Sequence, residues 1–564
     1  MVFLKGKAKM SDSILMISTP LLACIVAIKI VLMAKQRLEL SFAKNPSLGG
    51  HVRWSKRFTR LIPYYSYSEE QWFNCDGAPS SVAEQRKAAL TQLGTDLINQ
   101  SPLTLKRTAE TKPLISDLQF TSNYRVPFQF TKELQKYIQM GSFWRESEGV
   151  WLTDLDGNRF IDVTGSYGVN LFGLDFYKRT IQEGSELVKD LGPTLGSYHP
   201  CVLENVQKLC ALSGKDEVSF HMSGTEAVMQ AVRLARYHTS KQKIVRFCGA
   251  YHGWWDDVQP GPGNPMPPAS QTLTLREMHE STLRVLRNRK DIACVLVNPL
   301  QALHPNQAAP GDSTLVDGSR KAHFDYNAYR NWLAQLREVC TAKGIVLIFD
   351  EVFLGFRLAK GGAQEFFNIQ ADMVTYGKTL GGGLPVGVIC GKAELMRRFN
   401  QDRPADICFA RGTFNAHPYV MGAMNVFLKR LDTPEVIDQY AKLDETWNNR
   451  AKHLNETFKK HDLPLKVANM STVWTVLIQS ETRYNWMLQY YLRREGIALS
   501  WVGTGRMIFS LNFSDADFEE FTKRFVVAAQ KMTHDGWFWR GAEQTNKSIR
   551  RGMLLEMLKV RFSA

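Results

Sequence analysis

The chain has 564 residues, 44% of them hydrophobic, 11% aromatic and 22% charged, with 40 Gly against 22 Pro. That length exceeds one ordinary domain. The composition excludes a disordered, collagen-like, coiled-coil or disulfide-rich chain, and a mean hydropathy of −0.24 excludes a polytopic membrane protein. Nine cysteines between Cys24 and Cys408 form no CxxC, so they read as free thiols of a reducing compartment, with no metal-ligand set. The net charge of +15 is concentrated at the ends. Residues 1–60 hold eleven Lys/Arg against Asp12 and Glu39, or +9, and 541–564 hold five against Glu543 and Glu556, or +3, which leaves +3 between them. A nucleic-acid-binding body would carry its charge on the folded part, so no nucleic-acid partner is expected. Charge beside an apolar segment points to a membrane surface.

That segment, Ile14 to Ala34, comes first in chain order and has about the ~20 residues that cross a bilayer core as a helix. Lys29 is its one charge and lies near an end, where it can snorkel. Basic residues from Lys35 to Arg60 follow, so the positive-inside rule places the body in the cytoplasm, although Lys5, Lys7 and Lys9 pull the other way. An uncleaved single-pass transmembrane anchor within a basic N-terminus (1–45, helix about 14–34) is the expectation. An interfacial helix remains an alternative, as does a cleaved signal, for which Leu21-Leu22-Ala23-Cys24 resembles a lipoprotein box. Residues 46–124 form an extension without evident chemistry, containing one amphipathic helix at Ser81–Gln100.

Val150 to Val163 alternates around Asp156-Gly157 as a hairpin, within a segment 125–175. Strand-like and helical runs then alternate through 176–416: Glu217–His221, a helix at Thr225–Tyr237, Lys243–Phe247, Ala293–Val297, a helix at Tyr329–Lys343, and Ile345–Phe349. This alternation predicts an α/β fold with a large, mostly parallel sheet, whose ligands sit at the carboxyl ends of the strands. Residues 417–540 mix helices and short strands as a smaller α+β domain. In the basic tail, 541–564, Ser548–Phe562 reads as a helix lying on a membrane, on a partner or on the domain itself.

The chemistry-bearing residues fall at strand ends. Ser223-Gly224-Thr225-Glu226-Ala227 opens a helix after a strand, where free N–H groups and a hydroxyl can hold a phosphate, although a plain N-cap looks the same. Tyr251, in Gly249-Ala250-Tyr251-His252-Gly253, can stack on a planar ring or simply fill core. Asp350 ends the apolar run Ile345–Phe349, and a carboxylate there needs a partner: a protonated pyridine nitrogen, a metal or a helix N-terminus. Lys378 lies between Thr375-Tyr376-Gly377 and the triple-glycine turn Gly381-Gly382-Gly383. A desolvated amine there suits imine formation, whereas a lone lysine near glycines is more often surface decoration. Arg411-Gly412-Thr413-Phe414 adds a further hydroxyl. Phosphate turn, stacking aromatic, buried Asp and Lys, the last two 28 residues apart, make the ordered set that a pyridoxal-phosphate site requires.

In these motifs the sequence resembles the class III aminotransferases of PLP fold type I, on the glutamate-1-semialdehyde aminomutase side, over roughly Arg125 to Trp539. The resemblance implies that Lys378 binds the cofactor covalently and that Asp350 holds its ring nitrogen. Gly224 and Thr225 then bind its phosphate, Tyr251 stacks on the ring with His252 beside it, and Thr413 reaches the phosphate of the other subunit in a homodimer. Residues 125–175 and 176–416 become the first segment and the large PLP-binding domain. Tyr167–Gly173, Ala363–Phe367, Gly412–Pro418 and Tyr490–Ile497 are similar to aminotransferase domains of polyketide, nonribosomal-peptide, pigment and alkaloid pathways. The expected activity is therefore amination of a hydrophobic, acyl-derived aldehyde or ketone by an amino acid donor, with the acceptor free or on an acyl carrier protein. An aminomutase or a non-catalytic sensor are the alternatives. One departure stands out: Asn298-Pro299-Leu300-Gln301 replaces the usual Glu-Pro-Val/Ile-Gln.

Overall fold

Apolar runs without alternation need cover on both faces, and the strands at the centre of this protein have it. The computed structural model describes residues 5–259, 263–266, 270–307, 317–500 and 505–563, with side chains from residue 22 onward except 49 and 563. The strands are β1 (Glu146–Glu148), β2 (Trp151–Thr153), β3 (Arg159–Asp162), β4 (Glu217–His221), β5 (Lys243–Phe247), β6 (Thr272–Leu275), β7 (Ile292–Val297), β8 (Val346–Asp350), β9 (Met373–Gly377) and β10 (Gly387–Gly391). The last seven form one sheet in the order β4-β10-β9-β8-β7-β5-β6. Six run in one direction, while β10 is antiparallel to both β4 and β9, so the expected mostly parallel sheet is a mixed one with a single reversed strand.

Every residue of β7 and β8 is buried. Because side chains alternate faces, Val346 and Ile348 pack with Ala231 and Leu234 of the helix Gly224–Thr239. Leu347 and Phe349 pack on the other face with Leu333 and Leu336 of the helix Tyr326–Lys343. The predicted hairpin is β2 paired antiparallel with β3, with Gly157 at φ 89°. Towards the C-terminus, β11 (Leu465–Met470), β12 (Val473–Ile478) and β14 (Arg506–Ile508) make a three-stranded sheet. β13 (Ile497–Ala498) leaves that region to pair in parallel with β3.

The extension is structural. Its helix Ser80–Gln100, found where the periodicity places one, and the helix Phe128–Tyr137 contribute Leu90, Leu93 and Phe130 to a second core. There they meet Trp474, Trp486, Phe521 and Trp537. Arg86 pairs with Asp76 at 2.8 Å with both side chains fully buried, and its guanidinium lies 4.5 Å from the Tyr484 ring centroid. The tail forms the helix Asn546–Ser563, docked on the body: Glu556 accepts from Arg483 at 2.8 Å and from Tyr67 at 2.6 Å.

The N-terminal helix, Lys5–Ala43, runs through the apolar segment and ends on the large domain. Ala43 is fully buried and its carbonyl accepts from the Arg276 amide at 2.8 Å. Among the described residues no helix is long and apolar enough to cross a membrane, so the transmembrane anchor expected at Ile14–Ala34 is not borne out there. The side chains of 14–21 lie outside the described residues. From Leu22 the run keeps only thirteen residues before Lys35, about 20 Å of helix against a core of about 30 Å.

Removing one partner of a fully buried ion pair leaves an uncompensated charge. Asp76→Ala is therefore expected to lower unfolding free energy by about 3–5 kcal/mol in urea titrations. Glu186→Ala, at the exposed pair with Lys189, should change it by less than about 1 kcal/mol.

Candidate active site

Parallel strands bring their carboxyl ends to one edge, and four of these ends carry the residues singled out from the sequence. Gly224, Thr225, Tyr251, His252, Asp350 and Lys378 all line one cavity of about 350 Å³. Thr413 is not among its lining residues and is exposed on the single chain.

After β4, Ser223 caps the helix Gly224–Thr239, its Oγ accepting from the Glu226 amide at 3.2 Å. The cap and the anion-seeking helix start are thus the same feature, since the first amides of the helix have no intrahelical partner. A Cβ at Gly224 would come 2.5 Å from Val352 Cγ1, and only glycine fits. After β5, Tyr251 is 55% exposed at the mouth and His252 is 1% exposed. His252 Nδ1 lies 2.8 Å from Asp350 Oδ2, while its buried Nε2 has no partner among the described residues. The other Asp350 oxygen accepts from the Val352 amide at 3.2 Å and from Thr375 Oγ1 at 3.3 Å. Asn298, after β7, donates to the Tyr251 carbonyl at 2.9 Å and accepts from the Leu300 amide. The residue that replaces the usual carboxylate therefore ties two loops together.

Lys378 follows β9 in the left-handed region at φ 48°, a position that costs a non-glycine residue about 1 kcal/mol. Burial lowers its amine pKa below the ordinary lysine value; Asp350 opposes that shift and Arg357 adds to it. Its Nζ lies 5.6 Å from the Phe353 ring centroid. Phe353, which also lines the cavity, carries no motif that sequence reasoning could isolate, whereas the lining residues Val169 and Leu384 fall in or beside stretches singled out from the sequence. Arg357 was equally hidden, because several of its partners are backbone carbonyls. It is fully buried, with its pKa pushed down to about 10 by that burial, and donates to Gly168 O at 3.2 Å and Asn170 O at 2.7 Å. These bonds hold the turn in which Ser166 and Tyr167 are both left-handed, against the cavity.

The family model described as Aminotransferase class-III matches residues 135–258 and 321–529. The chain belongs to the class III aminotransferases. It is similar to the glutamate-1-semialdehyde 2,1-aminomutase of Pelodictyon phaeoclathratiforme, 29% identical over 68% of this chain and 89% of that protein. The enzyme of the same name from Methanocaldococcus jannaschii is 33% identical over 61% and 78%. Among solved structures, a transaminase with PLP bound is 26% identical with a TM-score of 0.59, covering 70% of this chain and 92% of that one. A β-phenylalanine aminotransferase from Variovorax paradoxus shares the fold with a TM-score of 0.63 at 23% identity, over 81% and 100%. This class III aminotransferase is a PLP-dependent transaminase. Its cavity fits that cofactor: a helix start, a glycine cradle, a buried carboxylate and a desolvated amine surround one space, with an imidazole nitrogen beside it that has no partner among the described residues.

Glu351, next to Asp350, is fully buried and accepts from the Ala363 amide at 2.6 Å; burial pushes its carboxyl up to about 8. A carboxyl raised in the folded state binds its proton more tightly there. Its stabilising contribution is thus complete below about pH 4.5 and lost as pH rises towards 8. Glu351→Gln is expected to flatten the pH dependence of unfolding free energy across that window by about 1 kcal/mol per pH unit, measured by denaturant titration at several pH values.

Proposed function

We propose that this transaminase takes an amino group from an amino acid donor and passes it to a hydrophobic, acyl-derived aldehyde or ketone, free or carried on an acyl carrier protein. The observation that carries this reading is the apolar lining beside Lys378: Val169, Val352, Phe353, Leu384 and Pro385. Bound there, the cofactor supplies an electrophilic carbonyl for amines and a cationic ring that withdraws electrons from the substrate. Lys378 would hold it through Nζ and, with that amine free, would serve as the group that moves a proton within the cavity. Asp350 keeps the ring nitrogen protonated, and His252 positions Asp350 through its Nδ1 bond. The amides of Gly224 and Thr225 with the Thr225 hydroxyl take the phosphate, Tyr251 covers the ring face, and Thr413 of a second subunit completes the phosphate site in a homodimer.

The N-terminal segment supports a hydrophobic acceptor as well. Its apolar side chains Leu22, Ile25, Val26, Ile28 and Ile30 to Met33 are all about half exposed or more. We infer that they tether the enzyme to a membrane, with the body on the cytoplasmic side. A second reading, an aminomutase that moves an amino group within one substrate, is favoured by the names of the relatives.

Adding an amino acid donor without acceptor is expected to bleach the visible absorbance of the bound cofactor. Lys378→Ala should abolish that response and lower kcat/KM by about 10³-fold or more. Among acceptors, long-chain aldehydes or ketones should exceed short polar keto acids at least about tenfold in kcat/KM, a gap that burial of two further methylenes supplies. Turnover confined to short keto acids would overturn the proposed acceptor. Stoichiometric turnover of a single amino-aldehyde without any donor would establish the aminomutase instead.

A further inference from the structure

A second cavity, of about 960 Å³, lies where the extension, the helix Phe128–Tyr137 and the C-terminal helix meet. It shares no lining residue with the cavity around Lys378. Except for Gln135, its lining lies outside the stretches matched by the family model, 135–258 and 321–529. Its size is at the upper end of the range for small-molecule sites.

The walls are apolar, with Ile62, Val126, Phe128, Met553, Leu554 and Met557 lining the space. Among the described residues no carboxylate lines it. Two cations do. Arg550 is engaged by Asp317 at 3.3 Å, whereas exposed Lys132 has no carboxylate partner among the described residues. Gln129, only 2% exposed, adds an unmet demand. Its Nε2 donates to the Tyr65 hydroxyl at 3.2 Å, but its buried Oε1 has no partner among the described residues. A buried acceptor left without a donor is destabilising, and a ligand hydroxyl or N–H would relieve it. A large apolar cavity, an exposed ammonium without a carboxylate partner among the described residues and a buried acceptor on a lining residue are complementary to one kind of molecule.

We propose that this cavity binds a single-chain anionic amphiphile: one acyl chain along the apolar wall, an anionic head at Lys132, and a hydroxyl or amide N–H of that head at Gln129 Oε1. The site does not depend on the substrate assigned to the catalytic cavity. An amphiphile seated there touches the extension and the C-terminal helix together, on the helix that also presents Glu556 to Arg483.

The test is isothermal titration of the full-length holoenzyme with N-oleoylglycine below its micellar concentration, with oleate and oleyl alcohol in parallel. One saturable site per chain is expected for N-oleoylglycine, with oleyl alcohol binding at least about tenfold more weakly for want of the charge. Leu554→Trp, which fills the cavity from a half-exposed position, and Lys132→Glu should each weaken N-oleoylglycine by about tenfold. Gln129→Met should weaken N-oleoylglycine and leave oleate unchanged. Lys132 and Leu554 lie outside the packed cores, and an unchanged visible absorbance of the cofactor certifies the fold of each variant. Absence of saturable binding overturns the proposal, as does binding that neither Leu554→Trp nor Lys132→Glu alters. Association with phosphatidylcholine vesicles but not with the monomeric amphiphile would make this face a membrane contact, and would overturn it too.

Discussion

Asp350 is a carboxylate carried to the end of an all-apolar strand, and the bond it shares with His252 at 2.8 Å sets the geometry around it. A buried carboxylate must be satisfied from its surroundings. Here the satisfaction comes from separate chain segments: His252 from the loop after β5, the Val352 amide just beyond β8, and Thr375 from β9. Strand β7 lies between β8 and β5 in the sheet, so the His252 bond reaches across it, and Asn298 at the end of β7 fastens the same loop through the Tyr251 carbonyl. Loops that follow three different strands are thus tied into one rigid edge. Commitment of Nδ1 to Asp350 fixes the His252 ring and leaves Nε2 buried and, among the described residues, without a partner beside the cavity.

Lys378 is the counterpart on the next strand, and its setting is made by exclusion. A Cβ at Gly168 would come 2.8 Å from the Phe353 ring and 3.0 Å from Lys378 Cδ, so the absence of a side chain lets the 165–168 turn close over the lysine stem. That turn contains consecutive left-handed residues, a conformation that persists only when its surroundings over-determine it. Arg357 does so by gripping the Gly168 and Asn170 carbonyls while also reaching Thr472 Oγ1 and the Phe509 carbonyl. Burial lowers the Lys378 amine pKa, and the charge of the Arg357 guanidinium, which also braces the turn over it, adds to that shift. In this way the C-terminal region, which supplies Thr472 and Phe509, is coupled to the depth of the amine.

What could be read in the sequence and what could not divide along one physical line. The hairpin at Asp156-Gly157, the strands β4, β5, β7 and β8 and the helix before β8 follow from local periodicity, within a residue or three of their observed bounds. Strand-end residues were legible because a parallel sheet gathers those ends wherever the chain wanders. Contacts between distant segments were not. Arg86 and Asp76 look like surface charges until Tyr484 and Trp537, roughly 400–450 residues later, close over them. Arg357 has no recognisable signature because several of its partners are peptide carbonyls. The apolar run at Ile14–Ala34 was read from hydropathy, which cannot register that the same helix continues to Ala43 and is docked there on the edge of the large sheet.

Charge at the two chain ends likewise changes meaning once pairing is counted. The excess of basic residues suggested ends that exist to meet a membrane, yet part of that charge is engaged internally. Arg550 faces Asp317 at 3.3 Å, and Lys56 donates to the Asn264 carbonyl at 2.6 Å. Glu556, one of the two acids in the tail, is drawn into the body by Arg483, Tyr65 and Tyr67. Burial pushes its carboxyl pKa up, but the bonds from those three residues outweigh it and hold the group below the ordinary carboxylate value. A group depressed in the folded state stabilises it above its unfolded pKa and releases that stability as pH falls through the folded value. The tail helix is therefore held in place at neutral pH by the same proton balance that acid reverses. This makes the extension and the tail one clasp around the C-terminal core, and both contribute walls to the large apolar cavity beside it.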